Sequence, residues 1–355
     1  MKKLFTLFAM LTCMAVTYAQ SPLVATLNHN DTISAYYGID ALKSAYNASV
    51  NGDVITLSSG GFNACDIYKE ITIRGAGMEQ DSINKIAPTV LIGDFEVHSS
   101  GNVSSDCHLT MEGIWHDGTI RVHSGYSPYH DLSYAQFIKC RLGDLETAHY
   151  SSTKGDDHGC LWESKFVQCR IRRITCNGSA TLINCYAGSI SYYSTHHYMK
   201  FECINCVVVV GDVGVNLVYS NFSNCVLVGT NPLYASNMAY NCVSAYSGSD
   251  TSNGYDLFKN LPYNLSNVAY DDVSKVFDTD TYHSGKYLDT DTYQLLDSIR
   301  TKHIGTDGTE IGMYGGALSF NPQNTMPKIK KFSVAPQSDG EGKLKVEIEV
   351  SAAGK

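Results

Sequence analysis

The densest chemistry in the chain sits in Lys154-Gly155-Asp156-Asp157-His158-Gly159, where two carboxyl groups and an imidazole share one short loop. These are the parts of a general acid and a general base. Hydrolysis of a glycosidic bond needs two carboxyl groups facing each other across a sugar, about 5 to 9.5 Å apart, and neighbours on one loop are poorly placed for that. Arg141 and Arg170 form a second candidate, because each follows a cysteine in a repeated phrase and stacked repeats would set their guanidinium groups side by side, with Lys165 and Arg172 near them. Such a pair calls for an anion: a uronate or sulfate gripped through parallel hydrogen bonds, or an internal carboxylate such as Asp144, Glu146 or Glu163. Tyr192, Tyr193 and Tyr198 bracket His196 and His197. Their rings suit sugar faces, and the same residues equally make an exposed turn.

Two further patterns bear on metals. Asp278-Thr-Asp-Thr-Tyr282 returns as Asp289-Thr-Asp-Thr-Tyr293, an Asp-x-Asp spacing that calcium uses, but without the glycine and closing glutamate of an EF-hand loop it fits turn formation. The cysteines come singly along the chain instead of in the paired spacings of zinc sites. No metal or cofactor is expected.

The elements that would position these groups are announced by the cysteines themselves. The chain reads Phe137-Ile-Lys-Cys140-Arg-Leu142, Phe166-Val-Gln-Cys169-Arg-Ile171, Leu182-Ile-Asn-Cys185-Tyr-Ala187, Cys203-Ile-Asn-Cys206-Val-Val208, Phe222-Ser-Asn-Cys225-Val-Leu227 and Ala239-Tyr-Asn-Cys242-Val-Ser244. Successive cysteines stand 29, 16, 21, 19 and 17 residues apart, about one coil of a parallel β-solenoid. A single coil cannot bury its apolar face, so coils stack and equivalent residues form columns. Cysteine then points inward as a small apolar group, with the thiols mostly reduced. Asn184, Asn205, Asn224 and Asn241 fit a tight bend, since asparagine tolerates the left-handed conformation, and their amides are expected to hydrogen bond from coil to coil. The outward column runs Arg141, Arg170, Tyr186, Val207, Val226, Val243. An exported protein does not leave such a valine stripe in water, so either residues 249–320 fold back over it, with Leu257, Phe258, Val276, Phe277 and Leu295 as packing material, or a second copy covers it.

Gly38 to Val50 has apolar residues at helical spacing and is expected to cap the first coil. Short β-branched runs closed by glycine follow, as in Gly52-Asp-Val-Ile-Thr-Leu, Ile71-Thr-Ile-Arg-Gly-Ala-Gly77 and Thr89-Val-Leu-Ile-Gly. Regular coils are expected over 52–248, an irregular covering segment over 249–320, and a β-hairpin appendage over 321–355. Ala41-Leu42-Lys-Ser-Ala45 with the two glycine-closed runs resembles the opening of secreted bacterial proteins of the pectin-lyase-like superfamily, and Asp307-Gly-Thr-Glu-Ile-Gly-Met-Tyr-Gly-Gly316 resembles the segment that closes them. The resemblance covers about Thr26 to Phe320. It implies an all-β, right-handed parallel β-helix of roughly ten coils in one domain over 20–320. It does not choose among lyases, hydrolases, epimerases and adhesins.

Met1 to Ala19 combines two lysines, the apolar run Leu4 to Val16 and Thr17-Tyr-Ala19, the layout of a cleaved signal peptide over 1–19. The mature chain is expected to start at Gln20 and to be periplasmic, cell-surface or extracellular, and not transmembrane. Loss of Lys2 and Lys3 moves the formal charge from −9 to −11, which excludes nucleic acid as a partner. Together these features lead to an expectation of a monomeric, non-catalytic protein that binds extracellular polysaccharide. The alternatives are a polysaccharide lyase or glycoside hydrolase acting on an acidic polysaccharide, and a structural or adhesive element.

Overall fold

The computed structural model describes residues 23–81, 85–98, 108–123, 132–147, 160–175, 177–191, 199–210, 217–248, 254–278, 291–323, 328–334, 341–343 and 346–351. The chain is mostly β, and its parallel strands stack into two long sheets in a solenoid-like arrangement, of 12 and 11 strands among the described residues. Each phrase contributes a strand to the first sheet, turns at the residue before cysteine, and contributes the next strand to the second. Thus Gln136–Ile138, Cys160–Val167, Asn177–Ile183, Met199–Ile204, Asn221–Ser223 and Met238–Tyr240 follow one another in the first sheet. Arg141–Thr147, Arg170–Thr175, Tyr186–Ser191, Val207–Val210, Val226–Gly229 and Val243–Tyr246 do so in the second.

The turn residues Lys139, Gln168, Asn184, Asn205, Asn224 and Asn241 all have φ between 49° and 53°. That is the left-handed region, which costs most side chains about 1–2 kcal/mol and asparagine less. Inside the turn Cys140, Cys169, Cys185, Cys206, Cys225 and Cys242 are all buried, and all are free thiols. The main-chain N–H of each from Cys169 to Cys225 donates to the sulfur of the next, at 3.3 to 3.5 Å, where the corner leaves it without a strand partner. Burial pushes the Cys140, Cys185 and Cys225 thiols well above their ordinary range. Replacing Cys206 with serine should cost about 1–3 kcal/mol, since the shorter, more polar hydroxyl enters an apolar column. Urea unfolding measures that loss, and rapid alkylation of the six thiols in native protein would be incompatible with their burial.

The column is longer than its cysteines. Glu112-Gly113-Ile114 precedes it, with Gly113 at φ 64°, and Leu265-Ser266-Asn267-Val268 follows it, with Ser266 at φ 65° and Val268 paired to Val243. Asn267 takes the cysteine place: its side chain accepts from the Cys242 N–H at 2.9 Å and donates to the Ala239 carbonyl at 2.8 Å, ending the ladder with stronger bonds than sulfur makes.

At the other end the expected helix is α1 (Ala41–Ala48), which buries Ala41, Leu42, Ala45 and Tyr46 against the core. It covers the core but not the strand edge. That edge is taken by a hairpin, β1 (Val24–His29) with β2 (Thr32–Tyr37), whose β1 pairs antiparallel with β3 (Asp53–Leu57). The strands Lys328–Val334 and Val346–Ser351 form a separate antiparallel pair. No helix among the described residues is long and apolar enough to cross a membrane.

Candidate functional site

The outward column is covered, and its arginines are not an open groove. Arg141 and Arg170 are neighbours in register, as the columns require, yet they are only 7% and 5% exposed. The Arg141 guanidinium lies 4.4 Å from the centre of the Trp115 ring. Arg170 meets Glu79 at 2.8 Å and lies over the Phe320 ring at 5.1 Å. The counter-charge is thus an internal carboxylate from the loop at 79, in place of Asp144, Glu146 or Glu163. Lys165 is exposed on the outer face of the first sheet, between Gln136 and Thr181, and not beside the arginines.

Further along, Val207, Val226, Val228 and Val243 are buried under residues 276–278 and 291–320, where Val276, Phe277, Tyr293, Leu295, Ile311 and Met313 pack on them. The Tyr186 and Tyr293 rings stack at 3.7 Å. Leu257 and Phe258 do otherwise: they join the interior core and close its C-terminal end. The turn amides hold this segment down. Asn184 donates to the carbonyls of Met313 and Gly315 at 2.9 and 2.6 Å, Asn224 to the Thr306 hydroxyl at 3.1 Å, and Asn241 to the Ile304 carbonyl at 2.9 Å. Lys139 and Gln168 donate to the carbonyls of Gln323 and Leu318, both at 3.0 Å. The expected coil-to-coil amide bond occurs between Asn241 and Asn224, while the ladder otherwise fastens the covering segment.

Asp156, Asp157, His158, Tyr192, Tyr193 and His196 lie outside the described residues, as do Asp280 and Asp289 of the repeated Asp-x-Asp. Asp291 is fully buried.

A polar surface that the cysteine register does not reveal lies at the far end of the second-sheet strands. Asp94-Phe-Glu, Thr119-Ile-Arg, Asp144-Leu-Glu and Arg173-Ile-Thr stack, with Phe95, Ile120, Leu145 and Ile174 inward and the polar residues outward. Its charges interlock. Arg172 binds Asp144 at 2.7 Å and Asp117 at 3.2 Å, Arg173 binds Asp144 at 2.6 Å and Glu146 at 2.7 Å, and Arg121 binds Asp94 at 3.0 Å. The Thr119 N–H and Arg121 hold the Asp94 carboxyl below its ordinary range, so it stands as a carboxylate. Its other side opens on a cleft of about 560 Å³ beneath α1, lined by Lys43, Asn47, Asp66, Tyr68 and Lys69, with Tyr68 46% exposed. Lys69 is committed there, donating to the carbonyls of Tyr46 and Ser49 at 2.7 Å. A cleft bearing one exposed aromatic ring, continued by a flat strand surface of alternating acceptors and donors, can hold a polyhydroxylated ligand by stacking and hydrogen bonds.

No family model, no curated protein and no solved structure matches the chain.

Proposed function

We propose that this chain is an exported, right-handed β-helix of the pectin-lyase-like kind that binds carbohydrate without cleaving it, and that the binding surface is the Tyr68 cleft with the adjoining charged strand face. The observation that carries the reading is the pair of outward polar columns, Asp94, Thr119, Asp144, Arg173 and Glu96, Arg121, Glu146, Thr175, laid in register beside an exposed tyrosine. A single carboxylate or guanidinium presents two acceptors or two donors side by side, which suits a pair of vicinal hydroxyls, and the columns offer both kinds together. Carboxylates outnumber arginines on this face, and Arg141 and Arg170 are buried, so a neutral glycan fits better than an acidic one. Asp94, held ionised, suits an acceptor role and not that of a general acid.

Affinity electrophoresis against neutral and acidic polysaccharides tests the reading, with the same incubations assayed for new reducing ends and unsaturated products. Retention by a neutral glycan is expected, weakened about tenfold by Tyr68→Ala and by Asp94→Ala, because each removes one contact worth about 1–1.5 kcal/mol. Equal retention of both variants and the wild type would remove the site, and cleavage products would replace the binding function with catalysis.

A further inference from the structure

The two ends of the solenoid are protected unequally. At the C-terminal end, the first sheet finishes in the three-residue strand Met238–Tyr240, Tyr240 bridges to Leu265, and Leu257 and Phe258 plug the core. At the N-terminal end, α1 covers the core but β2 remains the outermost strand of the sheet, six residues long and paired on one side only among the described residues. Strands left at an edge are ordinarily blunted by a lysine, a proline, a bulge or a cover, because their free N–H and C=O groups recruit other strands. The β2 sequence, Thr-Ile-Ser-Ala-Tyr-Tyr, has no charge, no proline and no glycine, and its pairing with β1 runs without a bulge.

From this edge we infer that the protein forms a closed, twofold dimer in which β2 pairs antiparallel with β2 of a second copy. The side chains choose the partner and the register. Ile33, Ala35 and Tyr37 share one face of the strand by alternation. Ile33 and Tyr37 are each 70% exposed, and Ala35 between them is exposed too. An axis through Ala35 sets alanine against alanine and Ile33 against Tyr37 twice, giving two β-branched–aromatic cross-strand pairs with no charge near the axis. The strand is thereby complementary to itself. Among the described residues the opposite end of the sheet is the three-residue strand Met238–Tyr240, already bridged to Leu265, so the contact closes as a pair of molecules and does not propagate into a filament.

Sedimentation velocity of the chain beginning at Gln20, over a wide concentration range, is expected to show a reversible monomer–dimer equilibrium. Ala35→Lys, which puts two ammonium groups on the axis of an exposed strand, should give a monomer with an unchanged thermal melt. Directly opposed residues of antiparallel strands have Cα atoms about 4.5–5.5 Å apart, within disulfide range. Ala35→Cys should therefore be trapped as a covalent dimer by oxidised glutathione, whereas Ser34→Cys, opposed to Tyr36 on the other face, should not. A wild type that stays monomeric throughout, or equal cross-linking at positions 34 and 35, would overturn the proposal.

Discussion

Asn184→Ala should destabilise the protein by about 3–5 kcal/mol and release the covering segment to proteases. Asn184 is fully buried, and its side-chain N–H groups satisfy the carbonyls of both Met313 and Gly315. Alanine leaves the buried Gly315 carbonyl without its donor, at about 1–3 kcal/mol, takes one of two bonds from the Met313 carbonyl, which keeps the Phe320 N–H at 2.9 Å, at about 0.5–1.5 kcal/mol, and adds the left-handed penalty at φ 51° that asparagine largely avoids. Asn184→Gly separates the two costs. Glycine has no left-handed penalty, so this variant should recover about 1 kcal/mol of the loss while remaining equally open to proteolysis near residue 313. Lys139→Ala, which removes a bond to Gln323 at the margin of the segment, should cost far less. Urea unfolding with parallel limited proteolysis reads both quantities, and an Asn184→Ala protein as stable as the wild type would show that the amides do not anchor the segment.

Why the asparagines fasten a strap when stacked amides were expected follows from what a sequence repeat encodes. The six phrases fix the period, the inward cysteine and the left-handed turn, because those properties depend on neighbours within one coil and on its identical partners above and below. They say nothing about which distant residues lie over the turn, so Met313 and Gly315 as acceptors were not legible from the repeat itself. Burial of Arg141 and Arg170 escaped for the same reason: Glu79 and Phe320 come from opposite ends of the chain. Two further coils hid because the ladder changes residue, to Ile114 at one end and Asn267 at the other, while the geometry stays the same.

The charged strand face is legible in the sequence, although the cysteines do not mark it. Asp94-Phe-Glu-Val, Thr119-Ile-Arg-Val and Asp144-Leu-Glu-Thr repeat a polar-apolar-polar alternation, with an arginine version at Arg173, but in a register set by the second sheet instead of by the cysteines. Reading only one column per coil recovers one sheet and one turn. The β1–β2 hairpin lacked even that signal. It belongs to no repeat, and its antiparallel pairing to β3 is a tertiary choice that leaves β2 with its outer edge open.

Val226→Asp is expected to be the most damaging single change on the outward column. Val226 is fully buried, and the covering segment touches it through backbone as well as side chains: a Cβ added to Gly312 would lie 3.3 Å from Val226, and the Gly312 N–H donates to the Asn224 carbonyl at 2.8 Å. Nothing in that contact can move aside for a carboxylate without lifting the segment. Burying the ion there costs several kcal/mol, comparable with the 5–15 kcal/mol that holds a typical domain together. The folded protein can reduce this cost by keeping the new carboxyl protonated, which raises its pKa above the unfolded value of about 3.9. A folded state that binds the extra proton loses stability as pH rises from the unfolded pKa towards the folded one, so the deficit against wild type should be smaller near pH 4, where only the neutral carboxyl is buried, than at pH 7. Paired urea melts at the two pH values check the sign. If the stripe were covered by a second molecule instead, the variant would lose that contact but keep ordinary stability with no such pH dependence, and that result would remove residues 276–278 and 291–320 from the role given to them.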